Sequence, residues 1–172
     1  MNNYAFIDGH NLYKRIDAMG WDVDHARLRT YLKEKYKASV AYYFIGHIKK
    51  YENLYEFLKS CGYEMVYKKT VEQGDTYKGN CDVILTLRAL IEKGDYDKAI
   101  LVTNDGDFAP LVEYLHGLGK MECVIACSRS KFSYLLRELR DKVNIYYLDD
   151  FLHIVKKEEA LRRDKTLRRP PS

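Results

Sequence analysis

The 172-residue sequence has no apolar run near the roughly 20 residues that a membrane-spanning helix needs. Its first residues carry no basic segment ahead of an apolar stretch, so no signal peptide is predicted. The hydrophobic fraction of 47% is ordinary for a globular chain and argues against wholesale disorder. These observations predict a soluble cytoplasmic protein that does not engage a membrane.

The 4 cysteines form no C-x-x-C pair, and no histidine lies at zinc-finger spacing from them. A structural zinc site is therefore not predicted, and a cytosolic setting argues against disulfides. We interpret the cysteines as small buried residues, with Cys81 beside a candidate site.

Two phosphate-binding motifs are also missing. The chain has neither a G-x-x-x-x-G-K-[ST] loop nor a G-x-G-x-x-G fingerprint, which argues against nucleotide-cofactor enzymes. A phosphatase with Asp8 as nucleophile would need a second acid two residues later, where His10 stands. The phosphatase interpretation is therefore disfavoured.

Positive charge is concentrated at the C-terminal end. The formal net charge is +4, and residues 156–172 account for all of it, since the preceding body has 22 basic and 22 acidic residues. The body thus has no overall basic field. Attraction to a nucleic acid would have to come from local patches or from the tail.

Apolar strand patterns alternate with amphipathic helix patterns along the chain, without an internal repeat or an interdomain linker. This alternation predicts an α/β domain over 1–157, with a mainly parallel five- or six-stranded sheet covered on both faces. Residues 158–172 are predicted to be a flexible basic tail. The predicted strands cover 4–7, 39–48, 63–67, 98–103, 121–126 and 143–148. The predicted helices cover 24–36, 54–61, 80–94, 110–118, 130–139 and 149–155, and 68–79 is predicted to be a polar loop.

Four aspartates stand where predicted strands or helices meet polar loops: Asp8, Asp82, Asp105 and Asp107. A doubly wound sheet of order 3-2-1-4-5 would make the first and fourth strands neighbours and open a crevice at their carboxyl ends. A cluster of carboxylates there would suit Mg²⁺ or Mn²⁺. Taken singly, Asp107 also fits a helix cap, and Asp105 with Gly106 also fits a turn.

Several other polar residues are candidates for contacts with a phosphate or a base. Asn11 follows Asp8 closely and could orient a water or a phosphate oxygen, or form only a local turn. Further candidates near the same sheet edge are Lys68, Lys69, Lys78, Ser128, Arg129 and Lys131, where backbone N–H groups at a helix start could also bind phosphate. Tyr67 and Tyr77 could stack on bases, and His10 and His47 could border the crevice.

Three segments together resemble the NYN domain family, a branch of the PIN-like nucleases. They are residues 6–12 (FIDGHNL), 78–83 (KGNCDV) and 103–111 (TNDGDFAPL). The resemblance implies a PIN-like α/β/α sandwich and a Mg²⁺- or Mn²⁺-dependent ribonuclease. It places the family's acidic metal-binding positions on Asp8, Asp82, Asp105 and Asp107, and its motif asparagine on Asn11.

The chain departs from that family at two places. Many relatives have a further acid where this chain has Arg88, and Ser-Gly where it has Thr103-Asn104. The first change would weaken a second metal site, whereas the second keeps the turn polar. A nuclease-like fold that binds RNA or a protein without cutting is therefore kept as the alternative. RNA is the expected partner, and pairing with a second copy of the chain is left open.

Overall fold

The computed structural model describes residues 1–13, 22–69, 71–73, 76–78 and 81–156. The predicted tail over 158–172 lies outside the described residues. Within the described part of the chain, no helix is long and apolar enough to cross a bilayer.

Eight strands are formed by the described residues. They are β1 (Asn3–Asp8), β2 (Ala38–His47), β3 (Glu64–Lys69), β4 (Val71–Gln73), β5 (Thr76–Lys78), β6 (Ala99–Val102), β7 (Met121–Ala126) and β8 (Ile145–Tyr147). Six of these make one all-parallel sheet in the order β3-β2-β1-β6-β7-β8. The predicted order of the first five sheet strands is confirmed, and a sixth joins at the end.

Helices cover both faces of this sheet. They are α1 (His25–Tyr36), α2 (Glu52–Ser60), α3 (Asp82–Ile91), α4 (Ala109–Gly117), α5 (Tyr134–Arg137) and α6 (Leu152–Val155). Residues 9–13 are also helical. Leu28 and Leu58 belong to the core on one face, and Leu85 and Leu115 belong to the core on the other. The three-layer α/β/α architecture is therefore confirmed.

Local sequence explains several of these boundaries. The Asp24 carboxylate accepts a hydrogen bond from the Arg27 backbone N–H at 3.0 Å and so caps α1 as predicted. Gly62 adopts a φ of 91° just after α2, a conformation that glycine tolerates without strain. β6 has the sequence AILV and is buried along its whole length, which is typical of a central parallel strand.

The prediction of a polar loop over 68–79 is wrong. β3 extends to Lys69, and the short strands β4 and β5 then pair antiparallel, with Val71 opposite Lys78 and Gln73 opposite Thr76. Threonine, valine and tyrosine favour extended pairing. Here that preference outweighs the polarity that suggested a loop.

A helix forms within the predicted range of 130–139, but the predicted bounds are wrong. The helix covers only Tyr134–Arg137, and Ser133 caps it by accepting a hydrogen bond from the Leu135 N–H at 3.2 Å. Phe132 is buried in the core, and the Ser133 N–H donates to the Asn104 carbonyl at 3.2 Å. These tertiary contacts hold the preceding residues in a non-helical path, so the cap moves from Ser130 to Ser133.

The sheet brings distant parts of the sequence to one edge. β1 and β6 are adjacent and parallel, with Ile7 opposite Val102. The residues that follow, Asp8 and Thr103, therefore lie side by side at the carboxyl end of the sheet. This is where the chain reverses its winding and where open α/β folds bind their ligands.

Candidate metal centre

Three aspartates meet at the carboxyl edge of the sheet. Asp82, Asp105 and Asp107 each offer one carboxylate oxygen, and these oxygens all lie within 4.8 Å of one another. Asp82 is the first residue of α3, while Asp105 and Asp107 lie at the start of a 3₁₀ turn over Gly106–Phe108. The Asp105 carboxylate also caps this turn, because it accepts a hydrogen bond from the Asp107 N–H at 3.0 Å.

Asp8 lies deeper than these three and is only 5% exposed. Among the described residues, the group of acids within 4.8 Å of one another does not include it. Burial, together with the negative charges of Asp82 and Asp105, raises the pKa of Asp8 to about 6, although hydrogen bonds from Asn11 and Thr103 act in the opposite direction. Asp8 is therefore a buried carboxyl beside the acidic triad and is electrostatically coupled to it.

Thr103 links two of the acids through its hydroxyl group. The hydroxyl donates a hydrogen bond to the Asp8 carboxylate at 3.0 Å and accepts one from the Asp105 N–H at 3.1 Å. Thr103 is completely buried. The sequence indicated only that threonine keeps this turn polar, and it did not identify Thr103 as the residue that positions both acids.

Asn11 and Asn104 hold the surrounding loops together. The Asn11 backbone N–H donates to Asp8 at 3.0 Å, and its side-chain oxygen accepts from the Asn104 N–H at 3.2 Å. The buried Asn104 amide in turn donates to the Ser128 carbonyl at 3.0 Å. The Asn11 side chain thus ties the turn after β1 to the turn after β6. Its contact with a substrate stays a prediction.

Two glycines permit the close approach of chain segments at this edge. A Cβ at Gly9 would lie 2.3 Å from a ring carbon of Tyr43, and one at Gly106 would lie 2.2 Å from the Ser133 hydroxyl oxygen. Gly9 follows Asp8, and Gly106 lies between Asp105 and Asp107. Larger residues at either position would displace an acid, which gives a steric reason for both D-G pairs.

The phosphate-contact candidates after β7 are Ser128, Arg129 and Lys131, and the first two are bonded to other residues of the protein. Ser128 is buried and bonded to Asn104. One guanidinium nitrogen of Arg129 donates to both carboxylate oxygens of Asp150, at 2.7 and 2.8 Å, and the guanidinium lies over the Tyr147 ring. Lys131 is exposed, whereas for Lys78 the structure gives only its place in β5. Arg129 is therefore paired with Asp150, an acid in the 3₁₀ turn that follows β8.

Cys81 is buried and immediately precedes Asp82 in the chain. Burial, together with the charge of Asp8, raises the pKa of the Cys81 thiol to about 11. The charge of Lys68 lowers the same pKa, so this lysine lies within electrostatic range of the site. A thiol with so high a pKa is protonated near neutral pH and is a poor nucleophile.

The two histidines and Tyr67 lie at or near the same edge of the sheet. His47 lies 3.3 Å from a Glu52 oxygen, and its ring packs against Tyr55 and Tyr67. His10 is exposed within the helical residues 9–13. The half-buried Tyr67 also packs its ring against Tyr55, so it contacts two rings of the protein.

The donor set fits a hard divalent cation. Three carboxylate oxygens within 4.8 Å of one another, on partly exposed side chains, match the oxygen ligands that such ions prefer. Without a cation, this concentration of negative charge would be unfavourable. The arrangement is thus suited to holding a divalent metal ion at the carboxyl edge of the sheet.

Comparison with known proteins agrees with this arrangement. The NYN domain model matches residues 4–149, most of the chain. The chain belongs to the NYN domain family. The resemblance to the NYN domain family noted in the sequence is therefore confirmed, as is the α/β/α sandwich that it implied.

Two relatives match this NYN-domain chain over most of their lengths. The low amplitude and bright protein LabA of Synechococcus elongatus is 26% identical over 169 residues, covering 90% of this chain and 87% of LabA. A crystal structure of a Vibrio parahaemolyticus protein of unknown function superposes with a TM-score of 0.72 at 23% identity. It covers 90% of this chain and 95% of its own.

A more distant structure is the T5 5′-exonuclease with bound zinc. It has a TM-score of 0.48 and 17% identity, and the match covers 81% of this chain and 60% of that one. Similarity at this level supports no conclusion about function.

Proposed function

We propose that this NYN-domain protein is a Mg²⁺- or Mn²⁺-dependent ribonuclease that hydrolyses RNA phosphodiester bonds. The observation that carries the proposal is the convergence of Asp82, Asp105 and Asp107, with oxygens within 4.8 Å of one another, beside the buried Asp8. Membership of the NYN family, matched over residues 4–149, supports the same activity.

The acids have different roles in this proposal. Asp82, Asp105 and Asp107 would hold the cation, and the buried Asp8 carboxylate beside them would add to the negative charge that attracts it. When bound, such an ion would lower the pKa of a coordinated water and offset negative charge on the phosphate. The Thr103 hydroxyl keeps Asp8 and Asp105 in place through its two hydrogen bonds.

Substrate contacts are proposed for residues around the triad. The half-buried Asn11 would position the phosphate, while the exposed Lys131, together with Lys78 of β5, would attract the RNA backbone. Ser128 and Arg129 would act mainly on the loop that carries Lys131, through their bonds to Asn104 and Asp150. The basic tail would add affinity that weakens with salt.

The experiment is to incubate labelled single-stranded and structured RNA with the purified protein in Mg²⁺, Mn²⁺ or EDTA. Asp105→Asn removes one carboxylate charge at nearly constant shape and should abolish cleavage while the far-UV circular dichroism spectrum is unchanged. Asp141→Asn is the matched control, because the Asp141 side chain is 90% exposed and its ion-pair contact is with Arg140. It should retain wild-type activity.

Two results would contradict the proposal. One is full RNA cleavage by a clean Asp105→Asn preparation, and the other is wild-type cleavage that persists in EDTA. An RNA complex of unchanged affinity without metal-dependent turnover would instead identify a binding module.

The structure gives no support to the binding alternative through Arg88. Its guanidinium pairs with Glu92 at 2.7 Å and lies over the Tyr42 ring, one and a half turns along α3 from Asp82. It does not lie among the acids. The residue that departs from the family pattern is therefore directed away from the metal-binding group.

A further inference from the structure

Ser133 and Leu135 contact the chain beside the acidic triad. The Ser133 N–H donates to the carbonyl of Asn104, the residue before Asp105. A Cβ built on Gly106, the residue after Asp105, would lie 2.2 Å from the Ser133 hydroxyl oxygen and 3.3 Å from the Leu135 Cβ. The start of α5 is thus fixed against both neighbours of a proposed metal ligand.

Tyr134 lies between Ser133 and Leu135 in the chain, and most of its surface is exposed to solvent. Tyr134 is 67% exposed, and Leu135 is 55% exposed. Among the described residues, the Tyr134 side chain has no hydrogen-bond partner and no ring contact. A large aromatic side chain is therefore held in solvent next to the turn that carries Asp105 and Asp107.

Tyr67, one of the two tyrosines predicted from the sequence to stack on bases, is differently placed. It contacts Tyr55 with ring centroids 5.2 Å apart and contacts the His47 ring at the same distance. It is therefore half-buried and already packed against two rings of the protein. The Tyr134 ring has no such partner among the described residues and is the better stacking surface.

We propose that Tyr134 stacks on an unpaired base next to the phosphate at the triad. This inference rests on the proposed ribonuclease function and adds a base-contacting residue to it. Unpaired bases can turn outward and stack on aromatic side chains, whereas bases in a helix are already stacked on one another.

The test measures RNA binding separately from cleavage. In an Asp105→Asn background, fluorescence anisotropy in Mg²⁺ gives the Kd for a labelled single-stranded RNA, for its perfect duplex, and for versions with one base removed at each position in turn. Tyr134→Ala should raise the Kd for the single strand by about 5- to 150-fold, the range found when a stacking aromatic is truncated. Tyr134→Phe keeps the ring and should stay near the parent Kd.

Two comparisons separate stacking from a general structural effect. Tyr114→Ala is the matched control, because Tyr114 is 48% exposed on α4. It should leave the Kd unchanged. At the position where the base stacks, removing that base should eliminate the difference between the parent and Tyr134→Ala. The duplex Kd should be insensitive to Tyr134.

An unchanged single-strand Kd for Tyr134→Ala would overturn the inference, as would an equal loss for single strand, duplex and every abasic strand. These results are independent of the ribonuclease proposal. If the wild-type protein cleaves RNA and Tyr134→Ala binds it normally, only the stacking inference fails. If no RNA is cleaved in any metal, the ribonuclease proposal fails and the Kd values still decide the role of Tyr134.

Discussion

The Thr103 hydroxyl donates a hydrogen bond to the Asp8 carboxylate at 3.0 Å, joining residues that are 95 positions apart in sequence. The same hydroxyl accepts a hydrogen bond from the Asp105 N–H at 3.1 Å. One buried side chain thus fixes both the deep acid and the turn that presents two of the three proposed metal ligands. Removing the Thr103 hydroxyl should therefore change the site measurably while every acid is left in place.

Thr103→Val removes the hydroxyl at nearly constant volume. It leaves the Asp105 N–H without its acceptor, and the Asp8 pKa should rise further, because the Thr103 hydrogen bond lowers it. We expect a loss of about 1–3 kcal/mol in unfolding free energy. Metal affinity or cleavage should fall by about 10- to 100-fold, as for other residues that orient ligands.

Thr103→Ser is the control for that variant, because it restores the hydroxyl and removes only the methyl group. It should recover most of the metal affinity, measured by titration with Mn²⁺. Equal metal affinity for Thr103→Val and wild type would show that the hydroxyl does not position the acids.

Asp8→Asn should stabilise the metal-free protein near neutral pH. Burial raises the pKa of Asp8 from 3.8 to about 6, so the folded state favours the protonated carboxyl. The contribution of Asp8 to the unfolding free energy is therefore most favourable below about pH 4 and is lost as the pH rises to about 6. At one pKa unit per roughly 1.4 kcal/mol, the variant should gain up to about 3 kcal/mol at neutral pH.

Urea denaturation of wild type and Asp8→Asn in EDTA, from about pH 4 to about pH 7, checks this expectation. The difference between the two proteins should grow with pH across that range. Cleavage should fall at the same time, since the variant lacks the deep charge. A variant less stable than wild type near neutral pH would show that charged Asp8 is not unfavourable in the fold.

Gly106→Ala should destabilise the fold by about 1–3 kcal/mol, because its Cβ would lie 2.2 Å from the Ser133 hydroxyl oxygen. Thermal unfolding measures the effect. Adding Ser133→Ala removes that oxygen and should recover part of the loss. Gly117→Ala is the matched control, since nothing lies within 4 Å of a Cβ there, and it should be neutral or slightly stabilising. Equal melting temperatures for the two single variants would contradict the steric account.

The homodimer left open by the sequence has a candidate interface on α3. Val83, Leu87 and Ile91 are 67%, 51% and 77% exposed and recur every four residues along one face. A twofold axis, the commonest symmetry of dimers, placed near Leu87 would bury this apolar face against the same face of a second copy. We expect self-association through this face.

Leu87→Glu should shift the protein toward the monomer in sedimentation equilibrium, because it would place two like charges at the axis. Leu118→Glu is the matched control, as Leu118 is 48% exposed at the end of α4. A wild-type protein that stays monomeric at the highest concentration reached would show that the expected homodimer is wrong.

Much of the fold follows from local patterns. The apolar runs that became β1, β6 and β7, and the Asp24 cap of α1, were evident because burial on both faces and capping leave short-range signals. The hairpin of β4 and β5 and the shifted start of α5 were not, because they depend on pairing and on anchoring by Phe132 and Asn104. Tertiary contacts can override local preference in this way.

The candidate site likewise has some features that the sequence predicted and others that only the structure revealed. Asp82, Asp105 and Asp107 were recognisable from their positions at strand and helix ends, and the structure brings them together. The linking role of Thr103 and the engagement of Arg129 with Asp150 were not evident. Each depends on which side chain of a distant segment lies opposite, and a one-dimensional pattern does not contain that information.

By itself, the sequence determined the alternation of strands and helices, the family, and the aspartates available to a cation, because these depend on residue type and short-range spacing. Only the tertiary structure decided that Asp8 is buried and the other three acids are partly open, and that Ser133, the residue before the exposed Tyr134, contacts the turn of Asp105. The reason is physical: burial and electrostatic coupling depend on distances across the folded chain, which form only when the sheet places β1 next to β6.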